Sequence, residues 1–296
     1  MIRRKRGRLW KRTAPLLVLC LLGLTGCARP AAGNIADTSP AVPGQTSSAL
    51  AQITIYSDEE EPQYDTEYYL PEERKEENGQ IRSYLTGQMV DALKGNRRPV
   101  AVMMSNDKAA LPQYGINRAG VVYEAPVEGD MNRYMAILED YDDLDRIGSV
   151  RSCRTCYVYF AREFDAVYAH YGQSDFAKPY LKHIDNINGL EAIGTTAYYR
   201  SKDRKAPHNA YTGGDRLKLA IRTLGYSDAY DSGYKGHYLF ARDGCVLTLD
   251  DRPGVIQAVR AEPGYTGNQA YFLYDAADGL YHRYQYGACL LYTSDA

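Results

Sequence analysis

Two glutamates, Glu124 and Glu128, stand four residues apart in "VVYEAPVEGDMNRY", a stretch that otherwise reads as buried strand. Two carboxyls cooperate in glycoside cleavage when they face each other at about 5 to 9.5 Å. On an extended strand, residues i and i+4 share a face but lie about 13 Å apart, at roughly 3.3 Å per residue. Unless Pro126 and Gly129 fold the chain back, the two acids are not such a pair by themselves, and each needs a partner from elsewhere. The stretch "IGSVRSCR" supplies Arg151 and Arg154, and Arg133 follows Glu128 closely. A guanidinium fork suits bidentate pairing with a carboxylate. Such a partner lowers the carboxyl pKa and spoils it as a general acid. The acid of any catalysis is therefore expected to be the glutamate without an arginine, and a Glu–Arg pair that only fixes the fold is the competing reading.

Three further groups carry polar chemistry. In "DRKAPHNAY", Pro207 fixes the backbone ahead of His208 and Asn209, so His208 reads as a general base, a ligand contact or a hydrogen-bonding strut. In "YAHYGQSD", His170 ends a strand and Ser174 sits where the chain turns into a helix, the kind of strand end where polar ligand sites collect. A Ser174–His208–Asp175 triad can be drawn, but no nucleophile elbow "GxSxG" accompanies it, and it is set aside. Cys153 and Cys156 form a "CRTC" that reads as a redox pair, half a zinc site, or one apolar helix face. No second CxxC or HxxxH completes a metal set, so the apolar face is preferred, with a labile disulfide left open. No metal and no cofactor is expected. The chain holds 28 tyrosines against five phenylalanines and one tryptophan, which suits contact with sugars or peptides as well as ordinary half-buried sheet positions.

The elements that must position these residues begin after an export signal. Residues 1–27 carry seven basic residues, then "APLLVLCLLGL", an apolar run too short to span a bilayer. The run ends in "LTGC", which resembles the lipobox of bacterial lipoproteins and implies lipidation at Cys27. The expected location is the outer face of the bacterial cytoplasmic membrane, held by that lipid anchor. Without the signal the chain has 28 basic residues against 37 acidic, a balance of −9, which makes nucleic acid an improbable partner by net charge. Residues 28–94, rich in Ala, Pro, Gly and Ser and then in acids, read as a disordered tether.

Order is expected from about residue 95. Short apolar runs at "PVAVMMSN", "AGVVYEAP" and "RYMAILED" read as strands, "SCRTCYVYFAREF" as a helix capped by Ser152, and "DAVYAHYG" as a strand. "SDFAKPYLKHI" reads as a helix interrupted by Pro179, and "GGDRLKLAIRTLGY" as one stopped by Gly225. This gives an α+β fold: a mixed α/β core domain over 95–235 and a smaller β-rich domain over 236–296, with strands in "HYLFA", "CVLTL", "VIQAVRA", "AYFLYD" and "LYHRYQY". That second domain reads as truncated, and the native chain is expected to continue differently after residue 287.

Taken in order, "RPVAVMMSN", "VVYEAPVEGDMNRYMAI", "RIGSVRSCR", "DAVYAHYGQSD" and "RKAPHN" resemble the YerB-like bacterial lipoproteins, and "YDAADGLYHRY" resembles the start of that family's second domain. The resemblance implies a lipoprotein signal, a tether, a mixed α/β core and a β-rich module. Its polar pattern falls on Glu124, Glu128, Arg133, Arg151, Arg154, His170, Ser174, His208 and Asn209. The chain departs from it at Asp130, where the family has a second glycine, and at Cys153 and Cys156. Two functional expectations follow. The first is an envelope lipoprotein whose polar groove binds cell-wall glycan, or an envelope protein, without catalysis. The second is a lytic transglycosylase-like enzyme with Glu124 or Glu128 as a lone acid/base and His208 beside it. The binding reading is preferred, because no complete catalytic geometry can be read from these residues.

Overall fold

The structure is a computed structural model that describes residues 68–245 and 254–290. The signal, Cys27, the first part of the expected tether and the strand expected in "CVLTL" lie outside the described residues, apart from Cys245. Within them no helix is long and apolar enough to cross a membrane.

The tether does not extend to residue 94. From Tyr68 the chain forms a 3-10 turn (Pro71–Glu73), a hairpin of β1 (Gln80–Arg82) and β2 (Met89–Asp91), and a single turn of helix, α1 (Ala92–Gly95), whose first amides are capped by Asp91. Polar composition suggested disorder, but Ile81 and Leu85 are buried, and Ser83 Oγ donates to Glu139 of the core at 2.7 Å. Arg74 binds the carbonyls of Arg82 and Gly95. A few buried anchors suffice to order a polar segment when a core is already present to receive them.

The core follows as β3 (Val100–Ser105), β4 (Val121–Pro126), β5 (Asn132–Leu138), β6 (Ile147–Gly148), α2 (Thr155–Arg162), β7 (Val167–His170), α3 (Lys178–Leu181), β8 (Asn186–Asn188), α4 (Gly194–Ala197), β9 (Tyr199–Arg200), β10 (Ala210–Thr212) and α5 (Gly214–Leu224). Its main sheet has the order β4-β5-β3-β7-β8; β4, β5 and β3 are antiparallel neighbours, and β3, β7 and β8 run parallel. A smaller antiparallel sheet has the order β6-β10-β9.

Strands β3 and β5 are buried at every position, which is why each carries an apolar run on both faces, with the polar residues Ser105, Asn132 and Arg133 confined to one end. Alternate residues serve two cores. Val100, Val102, Met104, Tyr134, Ala136 and Leu138 pack with Leu217, Ala220 and Ile221 of α5. Ala101, Met103, Met135 and Ile137 pack with Tyr157, Val158 and Ala161 of α2. Helix α5 ends at Gly225, whose φ of 72° is the left-handed stop expected there. Helix α2 begins later than the sequence suggested. Ser152 is not its cap; Arg154 holds that position, because Cys153 is paired with the segment after β7. The "SDFAKPYLKHI" stretch splits into a 3-10 turn and α3, with Pro179 in the first turn of the helix, where a missing N–H costs nothing.

The C-terminal residues form an antiparallel sheet, β11 (Arg260–Ala261), β12 (Tyr271–Asp275), β13 (Leu280–Gln285) and β14 (Ala288–Cys289). "AYFLYD" and "LYHRYQY" are its central hairpin. "HYLFA" forms no strand, and "VIQAVRA" pairs only through its last two residues. The whole is α+β, as expected.

Candidate functional site

The polar residues gather where β3 and β7 end. The segment 149–154 is clamped between those ends: Ser105 N donates to Ser149 O and Arg151 N to Met103 O, both at 3.0 Å, while Tyr171 N donates to Arg151 O and Cys153 N to Gly172 O, both at 2.9 Å. Backbone bonding on both sides fixes Arg151 and Arg154 at the carboxyl ends of parallel strands, the place where open α/β sheets bind ligands. Arg133 enters the same edge from β5, opposite Ser105.

The two glutamates face different surroundings. Glu124 lies within β4 opposite Tyr134. Its Oε1 accepts from the side-chain amides of Asn106, Asn132 and Asn268, each at 2.9 Å. Arg283 of β13 grips both oxygens, at 2.8 and 2.9 Å. The two side chains of this pair are 11% and 10% exposed. Gln285 and the Tyr134 hydroxyl extend the network, linked at 2.9 Å. Glu128 lies past the end of β4, two-thirds exposed, and both of its oxygens accept from Arg154 Nε, at 2.7 and 2.8 Å. The Arg154 guanidinium holds the Glu128 carboxyl below the usual carboxylate range. Neither glutamate is left without an arginine, so neither meets the condition set for a general acid.

Arg133 is 6% exposed and donates to the Ser152 carbonyl. Burial, then the positive charges of Arg154 and Arg151, pull its pKa down to about 10. Arg151 donates to the Pro207 carbonyl at 3.0 Å, and burial lowers its pKa too. Among the described residues neither arginine has a carboxylate within ion-pair distance. His208 stands beside them, its Nδ1 3.5 Å from Ser105 Oγ and its Nε2 3.9 Å from Asp107, distances too long for firm hydrogen bonds. Burial lowers the His208 pKa, opposed by Asp107 and reinforced by Arg151 and Arg204.

The remaining expected site residues are placed as follows. His170 is fully buried, with Nδ1 2.8 Å from the Gly172 carbonyl and Nε2 3.1 Å from Asn186 Oδ1, and burial lowers its pKa. Asn209 is tied to Arg200 and to the Ser201 carbonyl, which holds the loop carrying His208. Ser174 gives its amide to the Cys153 carbonyl at 3.1 Å and makes no side-chain cap, and Asp175 pairs with Lys178. Cys153 and Cys156 are free thiols; burial pushes Cys153 up to about 11 and also raises Cys156, which makes both poor nucleophiles. Sequence reasoning missed Arg283, Asn106, Asn132 and Asn268. The available signal was polar residues inside or closing apolar runs, a placement that demands a buried partner.

Cavities also lie elsewhere in the molecule. A cavity of about 340 Å³ is lined by Tyr69, Arg74, Tyr84, Tyr238, Phe240 and others, and one of about 550 Å³ surrounds Arg98, whose charge is matched by Asp165 and Asp185.

Residues 85–227 match the family model described as "Protein of unknown function (DUF3048) N-terminal domain". "Putative lipoprotein YerB" of Bacillus subtilis (strain 168) is 36% identical over 148 residues, covering 49% of this chain and 44% of that protein's length. The crystal structure of YerB from Bacillus subtilis matches with a TM-score of 0.55 at 29% identity, over 70% of this chain and 68% of that one.

Proposed function

We propose, for a chain that is YerB-like across its core domain, a non-catalytic role: a lipid-anchored envelope protein that binds cell-wall glycan at the arginine edge. Its anchor is Cys27, and its working side is the outer face of the cytoplasmic membrane. The lipoprotein name of the Bacillus subtilis relative supports the envelope setting. One observation supports the binding role above all. Glu124 and Glu128 are committed to arginines, while Arg133 and Arg151 have no carboxylate within ion-pair distance among the described residues. Such an edge is built to receive a group and is poorly built to donate a proton. A lone-glutamate cleavage mechanism needs an uncommitted acid, and neither glutamate supplies one.

The test is to incubate the full chain with purified peptidoglycan, sediment it, and read the soluble fraction by mass spectrometry. The protein is expected in the pellet with the glycan intact. New anhydro or reducing ends that vanish in Glu128→Gln would replace this role with the enzymatic one.

A further inference from the structure

We propose that Arg133, Arg151 and Arg154 form a binding site for an oxyanion of the ligand, a carboxylate or a phosphodiester, and that Glu128 is an internal occupant which this oxyanion displaces. The inference rests on the binding role above and specifies the chemistry recognised.

The three guanidiniums are oriented by backbone carbonyls, which align a donor without neutralising it. Arg133 Nη1 is given to Ser152 O, Arg151 Nη1 to Pro207 O, and Arg154 Nη1 to Cys153 O. The side chains of Arg133 and Arg151 make no other hydrogen bond among the described residues, so most of their guanidinium N–H groups are unspent. The carbonyls belong to the segment clamped between β3 and β7 and to the Pro207–Asn209 loop, so the donors are held in advance of any ligand. Arg204 adds to the positive side, and with Arg151 it disfavours the charged form of His208; Glu128 and Asp107 are the acids that face that side. Asp107 is partly spent as the cap of a 3-10 turn, accepting from Ala109 N at 2.8 Å.

Like charges buried together stay together only if an anion offsets them. Burial lowers the pKa of Arg133 and Arg151, the neighbouring guanidiniums lower it further, and neither side chain has a carboxylate within ion-pair distance among the described residues. Glu128 is the partial offset. It touches one arginine, is two-thirds exposed, and precedes Gly129 and Asp130, both at positive φ, in the turn between β4 and β5. An exposed pair of this kind is held weakly, so a ligand that engages all three arginines displaces it at little cost. Forked guanidinium donors suit the paired oxygens of a carboxylate or a phosphate equally.

The experiment uses the full chain, with inorganic phosphate followed by calorimetry and purified wall material followed by sedimentation. Glu128→Gln is expected to tighten both several-fold, and Arg151→Gln to weaken both roughly tenfold. Added salt should weaken both. Amidating the wall's carboxylates, or stripping its phosphodiester polymers, identifies which oxyanion is read. If Arg151→Gln does not fold by circular dichroism, the gain in Glu128→Gln remains the deciding result, because that side chain is exposed. Wall binding that ignores salt and Glu128→Gln would overturn the oxyanion site and leave the binding role standing. Phosphate binding that responds to Glu128→Gln, without wall binding, would keep the site and remove the glycan role. Absence of both would end both.

Discussion

Glu124 and Glu128 differ by one turn of chain and by nearly everything else. Glu124 sits in a strand, accepts five hydrogen bonds, and joins the main sheet to β13 through Arg283. Glu128 sits in a turn and accepts from one arginine beside two others that have no acid of their own. The same residue type, next to the same residue type, is a structural tie in one place and an exchangeable cover in the other. What separates them is the number of donors and the exposure, since a buried pair that loses one member strands an uncompensated charge while an exposed one is rescued by water.

The largest expected effect follows directly. Glu124→Ala should cost about 3 to 5 kcal/mol of unfolding free energy, because Arg283 and three asparagines lose their acceptor; a denaturant midpoint close to the wild type would mean that water replaces the carboxylate. Next comes Tyr157→Phe. The Tyr157 hydroxyl lies 3.0 Å from the Ala125 N–H, 3.0 Å from the Ala125 carbonyl and 2.6 Å from the Arg133 carbonyl, so it pins β4 and β5 where they enter the site. Its loss should cost about 1 to 3 kcal/mol, read by chemical denaturation.

The sequence made much of this fold legible, and the reasons are local. The apolar runs within β3 and β5, the helical spacing of Leu217, Ala220 and Ile221, and the stop at Gly225 each state their structure within a few residues. It did not show that Tyr68 to Gly95 is ordered, because that order depends on a few contacts such as Ser83 with Glu139, 56 residues away. The site was half legible. The arginines near Glu128 could be named, and Arg154 is indeed its partner, but the Glu124–Arg283 pair spans 159 residues and has no local signature. His170 reads like a ligand contact from its strand-end position, and only its complete burial reveals a strut.

A smaller effect concerns pH. His170 has a folded pKa below its ordinary value of 6.5 because burial disfavours the charged ring. The unfolded chain then binds the proton more readily, so stability is present above that value and is lost as pH falls below it. His208 is shifted the same way. The depressed acids Glu128 and Asp142, the latter at about 2, act only at lower pH. The melting temperature should therefore drop between about pH 7.5 and 5.5, and less so in His170→Gln. An unchanged slope in that variant would assign the dependence elsewhere. Smallest is Glu128→Gln, which should change stability by about 0.5 kcal/mol or less, even as it tightens anion binding.

The most direct test of the division between the two glutamates is a pair of double-mutant cycles, Glu124→Gln with Arg283→Met and Glu128→Gln with Arg154→Met, each read by chemical unfolding. The account predicts a coupling energy of about 3 kcal/mol or more for the first and about 0.5 kcal/mol for the second. Equal couplings, or a larger one for Glu128, would contradict it and make Glu128 part of the fold rather than a cover for the arginines.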